Sequence, residues 1–224
     1  MTVATAPVLE PLLKSPKLVI YTSQLQQYLD EEERKRKAFY DWITEDTKAE
    51  FINGEIIMQS PARKQHTDAV VNLTSLLGAF VDEHELGFLA AETVLVALTR
   101  NDYLPDVVFF AQGKAAQFSP QQVKYPPPDF VVEVLSPSTA ALDRGIKFEE
   151  YATSGVAEYW IIDAEQQTVE QYILHNESYE LLLKLKGGEI SSEVIKGFTI
   201  PVPAIFDRKL KNQILTQLLN RQHV

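Results

Sequence analysis

Asp106 and Glu133 stand where acids are costly. In the segment 129–136 (DFVVEVLS), side chains alternate between two faces. Phe130, Val132 and Val134 point one way, and Val131, Glu133 and Leu135 the other. Both faces are apolar, so the strand is expected to be buried on both, with Glu133 as the charge at its centre. An unpaired buried carboxylate costs several kcal/mol or takes up a proton. Asp106 opens a second apolar run, on the same face as Val108 and Phe110. Taken singly, Asp106 reads as a loop cap after Pro105 and Glu133 as the partner of one basic side chain. Taken together, on neighbouring strands, the two converge on one point. Carboxylates that close repel unless a proton or cation lies between them. Oxygen-only ligands suit Mg²⁺, Mn²⁺ or Ca²⁺. Lys147 is the candidate third member. It shares a helix face with Asp143, Glu150 and Tyr151 at i,i+3 and i,i+4 spacing, and an ammonium on that face can reach the acids.

The elements that must position these groups follow from periodicity and turn chemistry. A helix is predicted over 22–38, where Ser23 and Gln26 match capping-box spacing. Three i,i+4 pairs, Glu31 with Lys35, Glu32 with Arg36 and Glu33 with Lys37, read as a solvated face. Asn53-Gly54 marks a hairpin over 49–58. Leucine, valine and phenylalanine at helical spacing predict a helix from His66 to about residue 85, ended by Gly87. Strands are expected at 91–99, 103–111, 129–136, 158–163 and 168–174, with a helix at 139–153 capped by Gly155. Gly187-Gly188 signals a hairpin between YELLLKL and EISSEVI, and 204–219 a final amphipathic helix. This order describes one α+β domain over 21–224 with a mixed central β-sheet. Pro7, Pro11 and Pro16 suggest that 1–20 is a loose tail.

Composition narrows the chemistry. The chain has 224 residues, 45% hydrophobic and 23% charged, an ordinary globular balance. It has no cysteine, which excludes disulfides, thiol nucleophiles, iron–sulfur clusters and thiolate zinc sites. The four histidines, 66, 84, 175 and 223, show no ligand spacing. Walker-type, G-x-S-x-G, G-x-G-x-x-G and H-E-x-x-H motifs are absent. The net charge of −10 argues against a broad basic surface for nucleic acid but leaves room for a small basic channel. Arg63-Lys64, Arg144 with Lys147, and Arg208-Lys209 with Lys211 are the basic groupings that could line one. No signal-peptide pattern or spanning apolar run is present, so a soluble, cytoplasmic protein with no membrane partner is expected.

Pro105-Asp106, then Glu133, then a lysine resembles the PD-(D/E)XK nuclease superfamily. The fuller match is to its Uma-type restriction-endonuclease-like family. It rests on EFINGEIIMQSPA with His66, YLPDVVFF (103–110), PDFVVEVLSPST (128–139) and DRGIKFEEYATSGVAEYWIID (143–163). The short superfamily pattern would put lysine two residues after Glu133, where Leu135 stands; the resemblance places it instead on the following helix, at Lys147. It implies a restriction-endonuclease-like α+β core, a mixed sheet flanked by helices, with extra β-hairpins. It implies a metal-dependent DNA endonuclease in which Asp106 and Glu133 hold Mg²⁺ or Mn²⁺, with the Val134 carbonyl completing the shell. Lys147 would then orient the attacking water and stabilise developing charge. Glu50, in the first hairpin strand, reads equally as a further metal or water contact and as a surface acid. His66 reads as a helix residue with a structural bond, or as a phosphate or proton contact. A homodimer is implied by analogy with nucleases that cut two strands, through the Gly187 segment or the final helix. The rival readings are a non-catalytic DNA- or protein-binding module with a vestigial metal site, and a magnesium-dependent hydrolase of smaller phosphoesters.

Overall fold

The structure, a computed structural model, describes residues 7–44, 46–92 and 94–220. The first six residues of the expected tail, and His223, lie outside the described residues. A helical turn at Pro7–Leu9 and α1 (Glu10–Leu13) precede α2 (Leu18–Trp42), β1 (Ala49–Ile52), β2 (Glu55–Met58) and α3 (Lys64–Glu83). Then come β3 (Gly87–Ala91), β4 (Leu95–Ala97), β5 (Asp102–Tyr103), β6 (Val107–Ala111), α4 (Gln112–Ala115), β7 (Lys124–Tyr125) and β8 (Phe130–Val134). The chain continues through α5 (Ala140–Asp143), α6 (Ile146–Thr153), β9 (Glu158–Asp163), β10 (Thr168–His175) and β11 (Ser178–Leu185). It closes with β12 (Glu189–Ser191), β13 (Thr199–Pro201) and α7 (Arg208–Asn220).

Two large sheets and a two-stranded ribbon, β12-β13, organise these elements. The larger runs β11-β10-β9-β8-β6-β3 and the smaller β2-β1-β5-β4-β7. Each is mixed: β8 pairs with β9, and β4 with β7, in parallel, among otherwise antiparallel neighbours. One face of the larger sheet, with Val107, Phe109, Phe130, Val132 and Trp160, packs against α3 and α7. Its other face, with Val108, Phe110, Val131, Tyr159 and Ile161, packs on α6 and the smaller sheet. The strand around Glu133 is thus buried on both faces, as its double apolar pattern requires.

Several local expectations change. The run 91–99 is not one strand: β3 belongs to the larger sheet and β4 to the smaller. The run 103–111 likewise crosses from β5 to β6 through Leu104-Pro105-Asp106, so Asp106 sits at the passage between sheets. Gly87 does not end α3. It opens β3, where a side chain would meet the Phe110 carbonyl oxygen at 2.0 Å, and only glycine fits. The helix over 139–153 breaks into α5 and α6 at Arg144-Gly145, where a Cβ on Gly145 would lie 2.7 Å from the Ala141 carbonyl oxygen. Gly187-Gly188 is not a hairpin turn. The hairpin partner of β11 is β10, closed by Asn176 and Glu177 at φ 47° and 65°, while β12 pairs with β13. Asn53-Gly54, at φ 52° and 81°, does close β1 on β2. Glu32 and Arg36 do not form a surface pair with each other. Arg36 binds Asp102 at 2.7 Å and Glu32 binds Arg100 at 2.7 Å, fixing α2 to the body.

Arg144 and Lys147 form no shared basic patch. Arg144 grips Glu170 of β10 through two hydrogen bonds, 2.6 and 3.1 Å, joined by Lys184 at 2.7 Å and Tyr172 at 2.8 Å. Burial opposes the Glu170 charge, but these donors outweigh it and hold the carboxyl down at about 2. A depressed carboxyl stabilises the fold above its unfolded value of 4.5 and loses that contribution as pH falls toward about 2. Glu170→Gln should therefore cost about 1–2 kcal/mol at pH 7, since solvent at Arg144 and Lys184 trims the gain. The deficit should shrink between pH 4.5 and pH 3 in urea titrations; a gap independent of pH would refute the clamp.

Candidate active site

The register of the central strands brings the two predicted acids together. Val107 of β6 pairs with Val132 of β8, so one step further Asp106 comes opposite Glu133. Glu133 is 3% exposed. Its Oε1 accepts hydrogen bonds from Lys147 Nζ at 3.0 Å and from the Tyr151 hydroxyl at 2.9 Å. Lys147, on the first turn of α6, is 2% exposed, and its ammonium also meets Glu50 Oε1 at 3.0 Å and Asp143 Oδ1 at 3.4 Å. Glu50 is buried on β1 and accepts from the Leu104 amide at 2.9 Å. The reading of Glu50 as a surface acid fails: it is 3% exposed and bonds the same ammonium as Glu133. Asp106 is held by the Val134 amide on Oδ2 at 2.6 Å and by His66 Nε2 on Oδ1 at 3.1 Å. Asp106, Glu133, Lys147, Glu50 and His66 all line one cleft of about 670 Å³.

The electrostatics follow from burial and a shortage of cations. Burial pushes the Glu133 carboxyl well up; Lys147 works against that, and Asp143, Asp106 and Glu50 reinforce it. Asp143 is raised for the same first reason, burial, with Lys147 and Thr139 opposing. Neither Asp143 oxygen has a hydrogen-bond partner. Burial works against the Lys147 charge, but Glu133, Glu50 and Asp143 outweigh it and hold the ammonium well above the ordinary lysine range. Burial disfavours the His66 cation as well, yet Asp106 beside it lifts the imidazole above its usual value. Burial and the neighbouring Glu133 charge push the Tyr151 phenol well up, so it stays a proton donor to Glu133.

Four carboxylates thus face one ammonium and one imidazole. That excess of negative charge, with all-oxygen donors, suits a hard divalent cation. Both hydrogen bonds to Glu133 fall on Oε1, which leaves Oε2 for another partner. Among the described residues no three His, Asp or Glu side chains form a ready cage for a metal. Mg²⁺ does not need one, since it is commonly held by one or two carboxylates with waters and substrate phosphate completing the shell. Asp106 and Glu133 fit that role.

Asp143 and Tyr151 were legible only as companions of Lys147 on a helix face. Their spacing, i−4 and i+4 from the lysine, was the signal; their contacts with the ammonium and with Glu133 needed the fold. Lys48 and Glu92, 3.6 Å apart at the cleft, gave no sequence signal because they come from separate segments.

Comparison with known proteins bears on the family and the fold. The family model Uma2, described as "Putative restriction endonuclease", matches residues 36–203. Uncharacterized protein sll1609 of Synechocystis sp. is 31% identical over 142 residues, 62% of this chain and 80% of the relative. Uncharacterized protein slr1290 of the same organism is 28% identical over 184 residues, 81% of this chain and 90% of its own length. A crystal structure from Anabaena variabilis, titled a "putative nuclease belonging to DUF820", superposes with a TM-score of 0.64 at 17% identity. It covers 80% of this chain and 97% of that one, a likeness of fold. Matched over most of its length, with an α+β fold of restriction-endonuclease-like form, the chain belongs to the Uma2 family.

Proposed function

We propose that this chain is a divalent-metal-dependent endonuclease that hydrolyses phosphodiester bonds in DNA. One observation carries the reading: a buried lysine ammonium within 3.4 Å of three carboxylates, in a cleft that Asp106 and His66 also line. Asp106 and Glu133 would hold Mg²⁺ or Mn²⁺, with the Val134 carbonyl beside them. A divalent ion there supplies an acidified water and charge to offset the phosphate.

The chain's own residues do the rest. The Val134 amide and His66 fix the Asp106 carboxylate in one orientation. Tyr151 and Lys147 do the same for Glu133, so both acids meet an incoming ion without reorganising. Lys147 stays charged and dry, an electrostatic partner for an attacking water or a non-bridging phosphate oxygen. Arg63 and Lys48, exposed where the cleft opens, can meet the flanking phosphates. A net charge of −10 fits contact with DNA confined to this cleft.

Supercoiled plasmid tests the reading. Nicking or linearisation is expected with Mg²⁺ or Mn²⁺ and none in chelator. Cleavage that persists in chelator would overturn the metal role. DNA binding without cleavage under either ion would replace the proposal with a non-catalytic binding module.

A further inference from the structure

Asp143 is a buried acid without a hydrogen bond to its side chain. It is 1% exposed, and neither of its carboxylate oxygens has a donor. Among the described residues the other buried acids are each satisfied. Arg100 donates to Glu32, the Leu104 amide to Glu50, Arg36 and Tyr40 to Asp102, and Arg144 to Glu170. Glu158 accepts from the side chains of Trp160, Gln171 and Ser192 and from the amides of Glu193 and Val194. That is how this fold treats an acid buried for structure, and Asp143 departs from it at a cost. Its place is nonetheless fixed through the backbone. The Tyr159 hydroxyl donates to its carbonyl oxygen at 3.0 Å, and its amide donates to the Thr139 carbonyl at 2.9 Å. The break at Arg144-Gly145 then lets the pair Asp143 and Lys147 span two helices, buried, instead of lying along one solvated face.

The ammonium of Lys147 gives this placement a use. It has three N–H donors. Glu133 Oε1 and Glu50 Oε1 stand 3.0 Å from Nζ, and Asp143 Oδ1 stands at 3.4 Å. Glu50, Glu133 and Lys147 line the cleft; Asp143 is not part of its wall, so it meets the amine from the protein side. With the amine on Glu133 and Glu50, Asp143 is the surplus acid, at the longest distance. It stops being surplus when Glu133 also faces a divalent ion. Two cations on one carboxylate repel, and the amine is then weakly held at Glu133. Glu50 Oε1 is already shared with the Leu104 amide. Both Asp143 oxygens are open to the amine.

We infer that Asp143 is a positioning residue for Lys147, becoming its principal counter-ion once Glu133 is engaged by a divalent cation and so keeping the charged amine at the cleft wall. The inference rests on the metal reading of Asp106 and Glu133 and adds to it an exchange of partners at the ammonium.

Calcium titrated into the full chain without DNA tests the exchange, read by calorimetry and by the ¹⁵N–¹H signal of the Lys147 ammonium. Asp143→Asn keeps the shape of the side chain and removes its charge. In chelator the variant should melt at or above the wild-type midpoint and keep a sharp ammonium signal, because Glu133 and Glu50 still hold the amine. At saturating Ca²⁺ the signal should stay sharp in wild type and broaden beyond detection in Asp143→Asn. The Ca²⁺ dissociation constant of the variant should rise about tenfold. A variant whose signal stays sharp with Ca²⁺ bound, or whose affinity is unchanged, would overturn the inference and leave the metal reading standing. So would a variant melting several degrees early in chelator, since Asp143 would then already be the main partner of Lys147 in the empty site. A wild type that binds neither Ca²⁺ nor Mn²⁺ would sink the metal reading and this inference together.

Discussion

Glu133→Gln should abolish metal-dependent DNA cleavage while leaving the fold at least as stable as before. Glutamine keeps the shape of the side chain and can still accept from Tyr151 and Lys147. It cannot carry the charge that attracts a divalent ion. Loss of cleavage by about 10³-fold or more is expected, the scale of removing a group that stabilises charge at a reacting centre. Stability should move the other way. Burial and the charges of Asp143, Asp106 and Glu50 all disfavour the Glu133 carboxylate, against Lys147 and the Tyr151 hydroxyl, which support it. Removing that charge relieves repulsion, and Lys147 keeps Glu50 and Asp143 as partners. Thermal unfolding in chelator should show a midpoint unchanged or raised, beside a dead enzyme. A strained charge retained against stability is the usual mark of a site kept for function. A variant that still cuts DNA, or one that unfolds several degrees earlier, would show that Glu133 is a structural partner of the lysine and nothing more.

Lys147→Met has the opposite signature in stability and the same one in activity. Methionine fills similar volume, so a cavity is not the issue. What remains is three carboxylates, Glu50, Glu133 and Asp143, gathered where one ammonium stood within 3.0, 3.0 and 3.4 Å. Removing one side of a buried ion pair costs about 3–5 kcal/mol, because the other charge is left uncompensated. For a chain of this size that lowers the melting midpoint by roughly 6–20 °C. Cleavage should fall by at least 10²-fold, since the charge proposed to face the phosphate is gone. Adding Glu133→Gln to Lys147→Met should recover part of the stability, as coupled neighbours do, and none of the activity. A methionine variant as stable as wild type would mean that these acids are already protonated, and that the ammonium holds nothing together.

How far the sequence led can be judged from particular residues. Asp106 and Glu133 could be picked out because strand periodicity is local: an acid at an apolar position of a period-two pattern needs no partner to be conspicuous. Lys147 was reachable from helix spacing and family resemblance, and Asn53-Gly54 from turn chemistry. The break at Gly145 was not legible, because the pattern over 139–153 remains helical through it, and only the close Ala141 carbonyl shows why a glycine stands there. Gly187-Gly188 misled for a related reason. A glycine pair permits a turn, but the register of β10 with β11 lies in long-range pairing.

By itself, then, the sequence determined which residues were candidates for chemistry, since cost of burial and backbone periodicity are properties of short segments. Only the tertiary structure decided which atoms meet. Glu50 could not be told from a surface acid until β1 paired with β5 and brought it to the ammonium. His66 reached Asp106 across 40 residues of chain. The charges of Arg36 and Glu32, expected to satisfy each other along the helix, went instead to Asp102 and Arg100 on the body. Such pairings are settled by strand register and by the passage of the chain between two sheets, and neither is encoded within any one stretch of residues.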